Sequence, residues 1–269
     1  MNGKNISWEA AVKLLKSEPQ YQDLVKACFF DDPLQGAADR YHQSTEWQAL
    51  KTYLPKLGKV LDIGSGRGIS AYAFAKEGWQ VNALEPDGSE IVGAGAIKLL
   101  AEDNGLNIEI EQTWGEKLPF KDASFDLVHG RQVLHHARDL NLLCKEAARV
   151  LKPNGVFIFT REHVISKPED LRTFLDSHPL HELYGGEHAY MLEEYKVALG
   201  SSGLVLKDVL NPMQSDINLY PDTILTYKKR IAKKFMLPSF FVMNFFLKIY
   251  GDRLDSPGRL YSFVGHKNA

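Results

Sequence analysis

The spacing of apolar residues changes near residue 58. Before it, they recur at helical intervals. Trp8, Val12 and Leu15 fall on one face, Glu9 and Lys13 on another, and Ser7 stands where an N-cap oxygen is wanted. Pro19 and Pro33 cut this region into short pieces, so residues 1–50 read as an N-terminal helical cap. After it, short apolar runs alternate with helical stretches. Strands are predicted at 59–63, 79–84, 107–112, 125–129 and 156–160, with helices at 69–76, 88–103 and about 139–151 between them. A helix over 192–202 and strands at 205–210 and 260–264 follow. Strands alternating with helices imply a parallel sheet covered on both faces. Residues 51–269 are therefore expected to form one domain behind the cap, with insertions at about 164–190 and 213–256. Segments that long in a compact domain are usually lids or binding loops.

Composition narrows the function classes. The chain has 269 residues, 44% of them hydrophobic and 25% charged, enough to bury a core without staples. Its 32 basic and 34 acidic residues nearly cancel, which argues against a nucleic-acid partner. Cys28 and Cys144 are isolated and fit a reducing compartment. The first residues contain no apolar h-region, so no secretion signal is expected and the chain is expected to be cytoplasmic. The longest apolar stretch, 235–247, contains Pro238, Ser239 and Asn244 and falls short of the ~18 residues of a spanning helix. Just before it stand Lys228, Lys229, Arg230, Lys233 and Lys234; within it stand Phe235, Phe240, Phe241, Phe245 and Phe246. That composition suits peripheral contact with the inner membrane face through 228–250 or an anionic substrate such as a phosphorylated or lipid-linked glycan; a lid helix whose aromatic face completes the core, with its lysines solvated, is the favoured reading.

The strongest chemical signal is VLDIGSGRG at 60–68. Gly64, Gly66 and Gly68 directly follow a strand and precede a helix, where glycine permits a sharp turn and close approach of a ligand. The helix N-terminus beyond offers free amides. Glu85, twenty-one residues after Gly64, ends the second strand, where its carboxylate can accept from ribose hydroxyls. A dinucleotide-dependent oxidoreductase would want glycine at 69, where Ile69 stands, and Asp62 would oppose a diphosphate. An ammonium-bearing ligand is better served by that charge. A glycine turn with no ligand is the plainest alternative.

Four ordered blocks carry a resemblance: VLDIGSGRG (60–68), ALEPD (83–87), GEKLPFKDASFDLVHGRQVLHH (115–136) and EAARVLKPNGVFIFT (146–160). Together they resemble the class I S-adenosylmethionine (SAM)-dependent methyltransferases, within them the methyltransferase type 11 group. The resemblance implies a Rossmann-like α/β fold, with a seven-stranded, mostly parallel sheet and an antiparallel last strand. It implies SAM as cofactor, with Asp62, Gly64, Ser65, Gly66 and Gly68 at the methionine end and Glu85 at the ribose. Trp114, Gly115 and Glu116 would lie beside the adenine. Many relatives carry an aspartate where Trp114 stands, so ring stacking or backbone groups would replace its hydrogen bond there. Arg131 and Gln132 would face the methionine carboxylate or the transferred methyl. The function implied is methyl transfer to a small-molecule or glycan acceptor at oxygen. A nucleotide-dependent oxidoreductase and a non-catalytic SAM-binding, membrane-docking protein are the alternatives.

Methyl transfer needs an aligned nucleophile and, for a hydroxyl acceptor, a base. His163, beside Glu162 after the fifth strand, and His135 are the candidates; His136 reads as a packed or capping residue. His178, His181 and His188, with Glu182 and Glu187 among them, match no tight zinc spacing, so no metal is expected. The block HPLHELYGGEHAY (178–190) is similar to methyltransferases of bacterial polysaccharide and glycolipid assembly, which points to a sugar hydroxyl. Tyr41, His42, Ser44 and Trp47 could wall off a sulfonium or simply pack the cap onto the sheet.

Overall fold

In the computed structural model, residues 6–234, 236, 238 and 242–269 are described. The cap comprises α1 (Trp8–Ser17), α2 (Gln22–Ala27), α3 (Leu34–Gln43) and α4 (Thr45–Lys51). Ser7 and Ser44 cap α1 and α4 by accepting the amides of Ala10 and Trp47. The α/β part runs β1 (Lys59–Ile63), α5 (Ile69–Lys76), β2 (Gln80–Leu84), α6 (Ala94–Asn104), β3 (Ile108–Glu111), β4 (Phe125–Arg131), α7 (Leu140–Val150) and β5 (Leu151–Ile165). Then come α8 (Asp170–Ser177), α9 (Pro179–Tyr184), β6 (Tyr190–Met191), α10 (Leu192–Ser201), β7 (Leu204–Leu210), α11 (Asp216–Leu219), α12 (Ile224–Lys234), α13 (Asn244–Asp252) and β8 (Arg259–Lys267).

The sheet is ordered β3-β2-β1-β4-β5-β8-β7, and the two-residue β6 pairs with β5. β8 is antiparallel to both its neighbours, β5 and β7. The expected seven-stranded Rossmann-like sheet is therefore present, with β6 as an addition. Strand order reverses between β1 and β4, so their carboxyl ends diverge into the crevice where α/β folds bind ligands.

Two apolar layers cover the sheet. Trp47, Phe74 and Ile97 pack one face; Phe125, Phe157 and Tyr195 pack the other. Each such buried side chain contributes roughly 1.5–3 kcal/mol. Tyr41 and Trp47 are fully buried in the first layer and neither lines the central cavity, so they pack the cap onto the sheet. A smaller separate cluster joins Ala11, Val12 and Leu15 of α1 to Val25, Val92 and Leu180.

Two elements depart from the sequence reading. α6 begins at Ala94, not 88, because Asp87 and Ser89 draw residues 87–93 into a turn: Asp87 accepts the Ala94 amide at 2.7 Å and the Ser89 amide at 2.8 Å. β5 continues five residues past Thr160, through a bulge at Arg161 (φ 61°). That extension carries Glu162 and His163. The 164–190 insertion folds as α8 and α9; the described residues of 213–256 include α11, α12 and α13. No helix of the described residues is long and apolar enough to cross a membrane. Phe245 and Phe246 on α13 are exposed, whereas Phe235, Phe240 and Phe241 lie outside the described residues.

Candidate active site

A cavity of about 630 Å³ opens at the carboxyl ends of β2, β1, β4 and β5, within the size range of ligand pockets. Another recess, beside α3 and Tyr220, holds no comparable chemistry. Of the residues expected to hold the cofactor, Gly64, Ser65, Gly66, Glu85, Trp114, Gly115, Arg131 and Gln132 line the main cavity, as do His135 and His163. Asp62 and Gly68 do not.

The glycine loop is shaped by what surrounds it. Gly64 has φ 64°, and a Cβ there would stand 2.6 Å from Val133 Cγ2, so a side chain is excluded on both counts. Gly66, at φ 52°, donates its amide to Glu85 Oε2 at 2.8 Å. Glu85 Oε1 accepts the Asp87 amide at 3.0 Å. The Glu85 carboxyl thus sits against the loop, 8% exposed. Burial pushes its pKa up to about 7 against the pull of the two amides. It is a carboxyl short of hydrogen-bond donors, a natural partner for paired hydroxyls.

Asp62 is turned away from this space. Its side chain, 1% exposed, accepts from Ser65 Oγ, from Ser70 Oγ at 2.7 Å, and meets His129 Nδ1 at 2.6 Å. With both oxygens engaged it braces the loop, and it reaches the cavity lining only through Ser65 and Ser70. Gly68 is the N-cap of α5 and packs on Ile97, behind the cavity wall. Trp114 is 47% exposed at the rim, with the Arg138 guanidinium 4.0 Å over its ring.

Arg131 is anchored, not free. Glu46 of α4 takes its Nε at 2.6 Å and its second terminal nitrogen at 3.1 Å, while the side-chain Oε1 of Gln132 takes the first at 2.8 Å. Gln132 itself is held at φ 55°, a left-handed conformation costly for a residue with a side chain.

At the opposite end lie the histidines. Three strand spacings of about 4.8 Å place the tips of β2 and β5 roughly 14 Å apart. Glu162 is fully buried and accepts the amides of Val133, Leu134 and His135 at 3.0–3.1 Å, and His135 Nδ1 meets it at 2.6 Å. His163 Nδ1 donates to the Gly258 carbonyl at 2.8 Å. Burial, helped by His135, holds the His163 pKa down to about 3, and burial lowers that of His135 as well. Glu187 stands 3.7 Å from His135 Nε2 and 3.8 Å from His136 Nε2. Glu162, Glu187 and Glu46 were not foreseen as site residues; the adjacency of Glu162 to His163 and the place of Glu187 among the insertion histidines were the hints at two of them. Trp8, Phe29 and Phe30, from the cap, close the cavity in place of Tyr41 and Trp47.

Known proteins are similar to this chain in sequence and in fold. Residues 61–159 match the family model described as a methyltransferase domain. The chain is 31% identical over 173 residues to the uncharacterized methyltransferase YcgJ of Bacillus subtilis, covering 59% of this chain and 62% of that protein. It thus spans less than two thirds of YcgJ's length by sequence, though the YcgJ crystal structure superposes over 85% of this chain with a TM-score of 0.56 and 21% identity, covering 99% of that chain. A ubiquinone biosynthesis O-methyltransferase of Rhizobium leguminosarum bv. trifolii is 27% identical, over 63% of this chain and 69% of that protein. Phosphoethanolamine N-methyltransferase 2 of Haemonchus contortus, solved with SAM, shares the fold at a TM-score of 0.62 and 19% identity, over 98% of this chain and 60% of that one.

Proposed function

We propose that this chain, which belongs to the class I SAM-dependent methyltransferases, carries a methyl group from SAM to an oxygen of a small-molecule acceptor. One observation carries the reading: the Glu85 carboxyl, buried against the Gly66 amide, lines the same cavity as a cluster of histidines on the β4 and β5 ends. The residues fit the cofactor. Ribose hydroxyls would give the underhydrogen-bonded Glu85 two donors, and the Trp114 ring offers a stacking face to a base. When bound, SAM supplies an activated methyl on sulfur, so the protein has to align the acceptor, exclude water and take away a proton. The oxygen assignment draws on the name of the Rhizobium relative. Ile69, which lines the cavity where a dinucleotide fold wants its third glycine, disfavours the oxidoreductase reading.

In this proposal Arg131, stiffened by Glu46, faces the carboxylate of the methionine moiety. Trp8, Phe29 and Phe30 exclude water. The acceptor hydroxyl faces the histidine end of the cavity, and its proton leaves by way of His136, whose side chain is 34% exposed. Titration calorimetry with SAM is the test. Saturable binding is expected, weakened about tenfold or more by Glu85→Ala, since hydrogen bonds to a charged group are worth ~1.5–3 kcal/mol. No heat at millimolar SAM would remove the proposal. Acceptors that gain about 14 mass units on expression would identify the substrate.

A further inference from the structure

We propose that His135, His163 and Glu187 bind one divalent transition-metal ion, of the zinc or iron(II) class, at the histidine end of the cavity. The three contribute ligand atoms that all lie within 4.8 Å of one another. His135 Nε2 and Glu187 Oε2 are 3.7 Å apart, close to the roughly 3.4 Å that two ligands span on a tetrahedral ion with ~2.1 Å bonds.

Both imidazoles are already held as metal-binding histidines are held. Gly258 offers a carbonyl, which can only accept, so the hydrogen of His163 sits on Nδ1 and the lone pair on Nε2. Glu162 orients His135 from Nδ1 in the same way, with its other contacts going to backbone amides. Such outer partners fix ring orientation and raise ligand basicity. His178 gives a second, independent sign. Its Nδ1 is buried without a hydrogen-bond partner and points toward Glu187 from 3.9 Å.

Charge asks for the same ion. Glu187 is buried, and among the described residues no lysine or arginine pairs with it; its cationic neighbours are imidazoles alone. A divalent ion would compensate the carboxylate. Two imidazoles and one carboxylate favour borderline transition metals over magnesium or calcium, which take oxygen ligands. Three protein ligands leave coordination positions open toward the cavity. The role of the ion rests on the methyl-transfer reading: it would polarise the acceptor hydroxyl and ease loss of its proton.

The experiment uses the full chain, stripped with chelator and titrated with Co²⁺ while visible absorption is followed. One Co²⁺ per chain is expected, with ligand-field bands of a low-coordinate N,O site. His163→Asn and Glu187→Gln should each weaken binding about tenfold or more, and Glu162→Gln should do so through its hold on His135. His181→Asn should leave the titration unchanged. Should the cluster variants fold poorly, wild-type melting in Zn²⁺ against chelator still decides, with a higher Tm expected in Zn²⁺. Absent cobalt bands, an unshifted Tm, or variants that bind like the wild type would overturn the site. SAM titration of the stripped protein is run in parallel, so loss of the metal site and loss of the methyltransferase reading give different results.

Discussion

Glu85 ties the ligand site to the stability of the protein. Its pKa is about 7 in the fold against an ordinary 4.5. Between those values the native state holds a proton that the unfolded chain has released, so this carboxyl favours folding most below pH 4.5, and that contribution is lost as pH rises through 7. Melting curves from pH 4.5 to 8 should therefore show a falling Tm component that Glu85→Gln removes; parallel curves for the two proteins would refute it. Hydroxyl donors prefer the ionised carboxylate, so SAM affinity should rise with pH through about 7 in the wild type and stay flat in the variant. The sequence placed Glu85 correctly because its position after a strand and its distance from the glycine loop are local facts. Asp62 shows where such reading stops. Its type and place suggested a ligand for an ammonium, yet its partner His129 is sixty-seven residues away and claims it for the interior.

Among the elements, β5 decides how the site is built. Its β-branched and aromatic run ends at Thr160, and there the sequence signal ends too. The chain keeps pairing with β8 beyond the Arg161 bulge because Ser262 Oγ accepts the Arg161 amide and the Arg161 guanidinium donates to the Ile217 carbonyl. Both partners are remote in sequence, so no local pattern announces the extension. Its consequence is Glu162, on which the turn from Val133 to His135 depends. Glu162→Ala would orphan three buried amides and an imidazole N–H, costing roughly 3–5 kcal/mol. In a chain of this length that corresponds to a Tm lower by about 10 °C. Glu162→Gln keeps one acceptor oxygen and should lose about half as much. A drop of under ~2 °C for the alanine variant would mean that the turn holds without its carboxylate. β1, α5 and β2 were all legible, since each completes its apolar pattern within its own residues.

For the whole molecule, the cavity is enclosed by segments far apart in the chain. The glycine loop and Glu85 come from the sheet; the cover comes from α1, the stretch after α2, and α9. Trp8 lies 5.1 Å from the Tyr184 ring and 5.8 Å from that of Phe30, joining these pieces in a cluster separate from the two layers on the sheet. Helical spacing in the sequence revealed the apolar face of α1, but not that it would meet α9, because that pairing depends on the paths of two insertions. A satellite cluster can open at a fraction of the free energy of global unfolding. The cover is thus expected to behave as a lid. Trp8→Ala removes the ring that both neighbours share while leaving the sheet layers intact. It should accelerate amide exchange in α1 and α9 without altering exchange in β1 or β4. It should also raise the KM for SAM severalfold with a small change in Tm, because a looser cover shields less of the ligand from water. If exchange in β1 accelerated to the same extent as in α1, the cap and sheet would open as one unit, and access to the cavity would then be governed by global stability.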